Sequence, residues 1–257
     1  MAAIHIPDPR LKTWLASETA VGCHWLALGA PVLAELAADA GAQSIVFDAQ
    51  HGRWGRDALE NAVAAVGGRA PTLVRAADAT DFSISWALDA GVQGIIVPMI
   101  SSAAACAEVV AASRFPPHGR RSGGGARPML DFGAYRKATA ETLVVGIMIE
   151  TREGVDAAEA IAATHGLDLI FIGPSDLSLA LGGGPGTPVF DAALKRVLAA
   201  GEAAGVPVGI YTADAAQAAQ RAGEGFRFVV TASDTGLNRG AAKAIWDAWP
   251  RGAGGQG

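Results

Sequence analysis

Two stretches of the 257-residue chain are near-copies of each other: DAGAQSIVF at residues 39–47 and DAGVQGIIV at residues 89–97. In each, a segment of helical character ends at Asp-Ala-Gly and an apolar run follows at once. Glycine at such a place lets the chain leave a helix through a positive φ angle. A continuous run of Val, Ile and Phe is typical of a strand buried on both faces of a parallel sheet. The repeated stretch therefore predicts helices that alternate with parallel strands.

The same alternation extends outward over most of the chain. Apolar runs predict eight strands, at residues 21–28, 42–49, 71–77, 94–100, 142–150, 167–174, 206–213 and 226–233. Alanine-rich helical segments lie between them, among them residues 31–40, 56–66, 81–89 and 191–204, with further helix ends expected at Gly205 and Gly223. Eight such units predict a single (β/α)₈ TIM barrel over residues 1–250, with an open doubly wound sheet as the alternative. Residues 251–257 are expected to form a flexible tail.

Composition narrows the class of protein further. The chain is 51% hydrophobic and 18% charged, which is enough apolar material for a large core. A net charge of −5 without a lysine-rich stripe argues against nucleic acid as a partner. Two cysteines, Cys23 and Cys106, make a disulfide framework improbable and fit a reducing cytosol. No apolar run approaches the roughly 18 residues of a membrane span, so we expect a cytoplasmic protein without a membrane partner.

In a TIM barrel, functional residues lie at the carboxyl ends of the strands. Polar side chains gather at these predicted ends: Asp48 and His51 after the second strand, Arg75 after the third, Glu150 after the fifth and Gly173-Pro174-Ser175-Asp176 after the sixth. The sequence therefore predicts an active site at this mouth.

The two carboxylates, Glu150 and Asp176, follow neighbouring strands and are expected to face each other. Such a pair is costly in a low-dielectric mouth unless a cation or a proton lies between the acids. A hard divalent cation binds readily through one or two carboxylates. The alternative is helix capping, by Thr151 for one helix or by Ser175 and Asp176 for the next. For the two acids together, a metal site is the favoured interpretation.

Asp48 lies three residues before His51 and is expected to hold the imidazole in one tautomer for acid–base catalysis. The alternative is a loop histidine that is hydrogen-bonded to the backbone. Arg75 is expected either to bind a substrate carboxylate or to pair structurally with Asp48 or another acid of the mouth. The sequence alone leaves both alternatives for Arg75 open.

Several kinds of chemistry lack their usual residues. The four lysines all fall in predicted helices or loops, so a Schiff-base lysine in the mouth is not expected: Lys12, Lys137, Lys195 and Lys243. There is no G-x-S-x-G elbow, no P-loop and no G-x-G-x-x-G after the first strand, so no nucleotide cofactor is expected.

Two segments outside the predicted active site are candidates for binding or assembly. The stretch from Arg114 to Arg127 contains four arginines and no acid. It is expected to contact a neighbouring subunit, or else to reach the far carboxylate of a substrate. Trp246 and Trp249 lie at helical spacing near the end of the chain, where they could pack on this barrel or on a partner.

The motifs IETRE at residues 149–153 and FIGPSDLS at residues 171–178, together with Asp48-x-x-His51 and Val74-Arg75, resemble the HpcH/HpaI family of class II pyruvate aldolases. The resemblance extends from about residue 21 to about residue 233. It implies that Glu150 and Asp176 are ligands of a divalent metal, Mg²⁺ or Mn²⁺, with Co²⁺ as a further option. It also implies that the 2-oxo acid is bound by Arg75 and by the backbone of Gly173, Pro174 and Ser175. His51 with Asp48 would be the acid–base dyad, and Trp25 would form a wall of the pocket.

The resemblance also implies a reaction and an assembly. The enzyme would cleave or form a 4-hydroxy-2-oxo acid, with a pyruvate enolate and an aldehyde as the two halves, and the metal would stabilise the enolate. The family further implies a hexamer built as a trimer of dimers, in which the last helix is exchanged between subunits. The alternatives are an acyl-CoA carbon–carbon lyase of the same superfamily, or a barrel that binds oxo acids without catalysis.

Overall fold

The computed structural model of the chain describes residues 8–250. Its centre is a closed barrel of eight parallel strands that pair in chain order, with β8 returning to β1. The strands are β1 (Val21–Leu26), β2 (Ser44–Asp48), β3 (Thr72–Arg75), β4 (Gly94–Val97), β5 (Val144–Ile149), β6 (Leu169–Ile172), β7 (Val208–Ile210) and β8 (Phe228–Ser233). All eight predicted strands are present, and the predicted (β/α)₈ barrel is confirmed. The predicted tail at residues 251–257 lies outside the described residues.

Helices surround the barrel, and α1 precedes the first strand. They are α1 (Arg10–Leu15), α2 (Pro31–Asp39), α3 (Arg56–Val66), α4 (Asp81–Leu88), α5 (Ala103–Ser113), α6 (Phe132–Thr142), α7 (Arg152–Asp156), α8 (Ala158–Ala162), α9 (Pro174–Leu181), α10 (Pro188–Ala204), α11 (Ala215–Gly223) and α12 (Asp234–Ala248), with a 3₁₀ turn at Pro128–Asp131. Within residues 8–250, no helix has both the length and the apolar content that crossing a membrane requires.

Alternation along the strands produces two separate cores. Inward residues such as Val46, Leu73 and Phe171 fill the barrel, while the residues between them pack against the helices. Leu11 and Leu15 of α1 join the inner core, so α1 closes the barrel at the amino ends of the strands. Burying a side chain of this size contributes about 1.5–3 kcal/mol.

The near-copies at residues 39–47 and 89–97 have the same structural role. Gln43 accepts a hydrogen bond from the backbone N–H of Gly22 at 2.7 Å, and Gln93 accepts one from the N–H of Thr72 at 2.7 Å. Each glutamine therefore satisfies an amide near the beginning of the preceding strand. This shared contact explains why glutamine recurs at the same place in both stretches.

Glycines end three of the four predicted helices as expected. Gly41, Gly91 and Gly205 have φ angles of 86°, 84° and 69°. The prediction for Gly223 is wrong, because α11 includes this residue and the chain turns two residues later, at Gly225, with φ 110°. Glu224 continues the helical conformation, so the glycine needed for the turn is the second of the two.

The arginine-rich stretch from Arg114 to Arg127 lies between the end of α5 and the 3₁₀ turn, on the amino-end side of β5. Arg121 has a fully buried side chain, pairs with Asp89 at 3.0 Å and stacks over the ring of Phe115 at 4.6 Å. Asp89 is the C-cap of α4. This arginine therefore holds the stretch against α4.

Two further arginines of this stretch also have acidic partners within the chain. Arg114 pairs with Asp168 at 2.8 Å, and Arg120 pairs with Asp81 at 2.7 Å. Because Asp168 lies before β6, Arg114 is at the opposite end of the barrel from the predicted mouth. The expectation that this stretch reaches a substrate in its own barrel does not hold, since its arginines join elements on the outside and at the amino end.

Helix α12 is largely exposed to solvent. Its apolar side chains are exposed, with Trp246 at 62% and Trp249 at 64%. Only its first turn is tied down: Asp234 is buried and accepts hydrogen bonds from the N–H groups of Ala27 and Leu28. Of the two alternatives for this segment, packing on its own barrel does not apply to the tryptophans.

Candidate active site

The register of the barrel places Asp48 directly beside Arg75, at the carboxyl ends of β2 and β3. Both side chains take inward positions and are nearly buried. Arg75 donates from Nε to Asp48 Oδ1 at 2.8 Å and from Nη2 to Asp48 Oδ2, which makes a bidentate pair. Burial acts to raise the pKa of the Asp48 carboxyl, but the hydrogen bonds and charge of Arg75 outweigh it and hold the pKa below its ordinary value.

Trp25 forms one wall of the mouth beside this pair. Its Nε1 donates to Asp48 Oδ2 at 3.3 Å, and its ring lies 5.2 Å from the guanidinium carbon of Arg75. Phe171 stacks on the same ring, and Tyr211 meets it edge-on. The guanidinium is therefore fixed by a carboxylate on one side and by an aromatic face on the other.

His51 lies in the loop that follows β2. Its backbone N–H donates to Asp48 Oδ1 at 3.1 Å, while its side chain is exposed and makes no hydrogen bond with residues 8–250. The expected bond between the Asp48 carboxylate and the His51 imidazole is not formed here, because both oxygens of Asp48 are used by Arg75, Trp25 and the loop amides. Asp48 positions the loop that carries His51.

Glu150 ends β5 and is buried at 1% exposure. Its Oε1 accepts the backbone N–H of Met99 at 2.8 Å, whereas its Oε2 is buried without a hydrogen-bond partner. Met99 has φ 60°, the one positive value at a non-glycine residue within residues 8–250. Such a conformation costs about 1–3 kcal/mol and persists when its surroundings hold it in place. This conformation directs the backbone N–H of Met99 toward Glu150.

Asp176 lies in the first turn of α9 and approaches Glu150 from the neighbouring strand unit. Burial and the charge of Asp176 raise the pKa of the Glu150 carboxyl above its ordinary value, although Met99 and Arg75 act in the opposite direction. The two predicted acids therefore lie close enough for their charges to interact.

The capping alternative is correct for Thr151 and wrong for Ser175 and Asp176, and it accounts for neither acid. Thr151 caps α7 by accepting from the N–H of Gly154 at 3.0 Å, so Glu150 is not needed for this role. Helix α9 has Gly173 at its N-cap and no side-chain cap, so neither Ser175 nor Asp176 caps it. The first amides of α9 remain available to an anion in the mouth, except at Pro174, which has no N–H group.

The donor set fits a hard divalent cation. A Cβ atom added at Gly173 would lie 2.2 Å from Glu150 Oε2, so glycine here leaves room for the free carboxylate oxygen. Within residues 8–250 no group of three or more metal-ligating side chains occurs. Two carboxylates with water and substrate oxygens are a usual set for Mg²⁺ or Mn²⁺.

Gly173→Ala is expected to weaken Mn²⁺ binding and turnover by about tenfold or more, because its Cβ would displace the Glu150 carboxylate. The φ of −92° at Gly173 suits alanine, so the fold should be unaffected. Gly223→Ala, whose Cβ would meet nothing within 4 Å, is the matched control. Titration of both variants with Mn²⁺ measures the effect, and equal affinities would contradict this account of Gly173.

Two residues of the mouth were not identified from the sequence. Met99 acts through its backbone N–H, which no side-chain motif reveals. Tyr211 follows β7 and packs edge-on against Trp25 at 5.5 Å between ring centres. The rule that functional residues follow the strands would have found Tyr211, had it been applied to β7.

Fold and site together define the class: a TIM-barrel enzyme with a carboxylate pair and a fixed arginine at the carboxyl-end mouth. A family model described as HpcH/HpaI aldolase/citrate lyase matches residues 22–241. A hydroxypyruvate/pyruvate aldolase of Chromohalobacter salexigens is 35% identical over 93% of this chain and 96% of that protein. A 5-keto-4-deoxy-D-glucarate aldolase of Klebsiella pneumoniae is 33% identical over 92% and 94%, respectively.

A solved structure agrees with these relatives. An HpcH/HpaI aldolase/citrate lyase family protein from Burkholderia cenocepacia J2315 superposes with a TM-score of 0.87 at 31% identity, over 93% of this chain and 99% of that chain. The chain belongs to the HpcH/HpaI aldolase/citrate lyase family. The family predicted from the sequence motifs is confirmed, and so is the predicted enzyme class, a class II aldolase. Enzymes of this family are generally dependent on a divalent metal.

Proposed function

We propose that this enzyme cleaves and forms 4-hydroxy-2-oxo acids at the mouth described above, with pyruvate or a related 2-oxo acid as one half and an aldehyde as the other. One observation carries the proposal: buried Glu150 has an unpartnered Oε2, and its carboxyl lies close enough to Asp176 and Arg75 for their charges to act on it. Two acids and a cation of this kind suit a bound 2-oxo acid, which presents a carboxylate and a keto oxygen together.

Glu150 and Asp176 are the residues that would hold Mg²⁺, Mn²⁺ or Co²⁺. When bound, such an ion supplies Lewis-acid stabilisation of the oxygen that becomes negative as the carbon–carbon bond breaks. The free oxygen of Glu150 and the room left by Gly173 support this assignment. The raised pKa of Glu150 fits the same view, because a cation relieves the repulsion between the two acids.

Arg75 and the beginning of α9 would orient the 2-oxo acid. The guanidinium is held on two donors by Asp48, which fixes its direction and leaves its remaining N–H groups for the keto oxygen. The uncapped amides at Ser175 and Asp176 would bind the carboxylate, assisted by the helix dipole. The pocket wall would be the ring of Trp25.

His51 would accept the proton of the C4 hydroxyl during cleavage. The C3–C4 bond then breaks, its electrons pass to the keto oxygen of the pyruvate half, and C4 becomes the aldehyde carbon. His51→Ala is expected to lower the rate of cleavage by about 10²-fold or more, with pyruvate binding little changed. Steady-state kinetics test this against His165→Ala, another exposed histidine. An unchanged rate in His51→Ala would remove His51 from the reaction.

The test of the proposed function is the release of pyruvate from a panel of 4-hydroxy-2-oxo acids, coupled to lactate dehydrogenase. The panel should include substrates of the two named relatives, and an acyl-CoA panel separates the lyase alternative. Turnover is expected with Mg²⁺ or Mn²⁺ and should disappear in excess EDTA. Full activity in EDTA, or a borohydride-trapped adduct with pyruvate, would overturn the proposal. All four lysines lie in α1, α6, α10 and α12, away from the carboxyl ends of the strands.

For the assembly we propose a hexamer, as a trimer of dimers that exchange α12. The support is the exposure of Leu237, Ile245, Trp246 and Trp249 along this helix. A partner barrel would bury these side chains. Light scattering should give a mass well above the 26.0 kDa of one chain. A stable monomer would reject the exchange while leaving the proposed reaction untouched.

A further inference from the structure

A second cavity lies at the opposite end of the barrel from the mouth. It has a volume of about 650 Å³ and is bounded by the end of α5, by α6 and by the residues before β6. The six residues of β5 separate it from Glu150, a span of about 20 Å. Cavities of roughly 300–1,000 Å³ are the size that small molecules occupy. None of the residues assigned to the reaction lines this cavity.

The cavity is strongly cationic in a chain whose net charge is −5. Its lining has four permanent cations, Lys12, Arg114, Arg136 and Lys137, and a single carboxylate, Asp168. Like charges in one concave surface repel each other and attract counter-ions. Two exposed histidines, His118 and His165, lie on the same lining.

Asp168 is already fully engaged. Its Oδ1 pairs with Lys12 at 2.8 Å, and its Oδ2 accepts from Arg114 at 2.8 Å and from the N–H of Val145 at 2.9 Å. Arg136 donates only to the carbonyl of Pro116, at 2.7 Å, and Lys137 makes no ion pair within residues 8–250. Two cations of α6 therefore face the cavity without an acid.

The cavity lining also includes apolar side chains. Phe115 and Phe132 meet edge to face with their ring centres 5.4 Å apart, and Val110 and Pro117 extend the wall. An occupant that fits this lining has an anionic group for Arg136 and a ring-sized apolar body for the phenylalanines.

We propose that this cavity is a binding site for a small organic anion, a phosphate or carboxylate attached to a ring. Arg136 and Lys137 bind the anionic group, and Phe115 and Phe132 contact the ring. The site is separate from the mouth, and the proposal does not depend on the reaction proposed above.

Calorimetric titration with phenyl phosphate tests the site on the full-length protein. Arg136→Ala/Lys137→Ala is expected to weaken binding by about tenfold or more, since two charge-assisted contacts are lost. Lys195→Ala, an exposed lysine of α10 outside the cavity, should bind like the unchanged protein. Both α6 positions are exposed, so melting curves should show an intact fold in the double variant.

Three further outcomes decide the proposal. Inorganic phosphate should bind at least about tenfold more weakly than phenyl phosphate if the ring contacts the apolar wall. Titration with benzoate shows whether a carboxylate replaces the phosphate group. No saturable binding of phenyl phosphate or benzoate, or equal binding in all three proteins, would overturn the site.

Discussion

Glu150→Gln is expected to abolish metal-dependent turnover while the barrel remains folded. The amide keeps the shape of the side chain and can still accept the N–H of Met99 through its oxygen. It removes the negative charge that interacts with Asp176, and at the proposed site a divalent cation would then have one carboxylate in place of two. We expect turnover to fall by about 10³-fold, in line with the loss of several kcal/mol of charge stabilisation. Asp176→Asn should have a similar effect.

The matched control for this experiment is Glu153→Gln, three residues along the same segment. Glu153 is exposed in the first turn of α7, so its change should leave turnover within about twofold. Pyruvate release at several Mn²⁺ concentrations, with circular dichroism as the check on folding, separates loss of the metal from loss of structure. Full turnover of Glu150→Gln at low Mn²⁺ would show that Glu150 is not a ligand.

Arg75→Met is expected to reduce both stability and activity. It leaves the nearly buried carboxylate of Asp48 without its bidentate partner, a change that typically costs about 3–5 kcal/mol. In the proposed binding mode it also removes the fixed positive charge that would lie beside the keto oxygen, for which we expect a further loss of about 10²-fold in kcat. Urea unfolding and steady-state kinetics measure the two effects separately.

The double variant Asp48→Asn/Arg75→Met tells the two effects apart. Neutral Asn can still accept from the loop amides that Asp48 binds, so stability should recover while kcat remains low. If stability did not recover, the loss in the single variant would not come from an unpaired Asp48.

The pH dependence of unfolding follows from the same pair. The pKa of Asp48 is lower in the folded chain than its ordinary value of 3.8. Its contribution to stability is therefore present above this value and is lost as the pH falls through the lowered pKa. In Arg75→Met this loss at acid pH should shrink or reverse, which urea unfolding between about pH 2 and pH 5 would reveal.

The fold could be predicted from the sequence because most strands are continuous apolar runs and several helices are followed closely by a glycine with positive φ. The environments of some individual side chains could not be predicted, because they depend on tertiary contacts. Arg121 looks like a surface residue in a Pro/Gly/Arg segment, yet Asp89, Tyr135 and Phe115 enclose it completely. The tryptophans of α12 have helical spacing, but spacing cannot say which barrel covers them.

The residues of the site that lie at the carboxyl ends of strands could be predicted from the sequence. Asp48, Arg75 and Glu150 were found because they end strands, and the structure brings them to one mouth. The partner of Asp48 could not be predicted, since the sequence allows either Arg75 or His51. The register between β2 and β3 places Arg75 beside it. The support from Met99 could not be predicted, because it rests on one backbone angle.

The glutamines of the repeated stretches bear on how this barrel could be divided or recombined. Gln93 precedes β4 but satisfies the first amide of β3, and Gln43 precedes β2 but satisfies the second amide of β1. A fragment cut at the end of a helix would therefore separate a strand from a side chain on which it depends. Half-barrels and chimaeras built from this chain should keep each of these glutamines with the strand before it, so the natural cutting point lies inside the next unit.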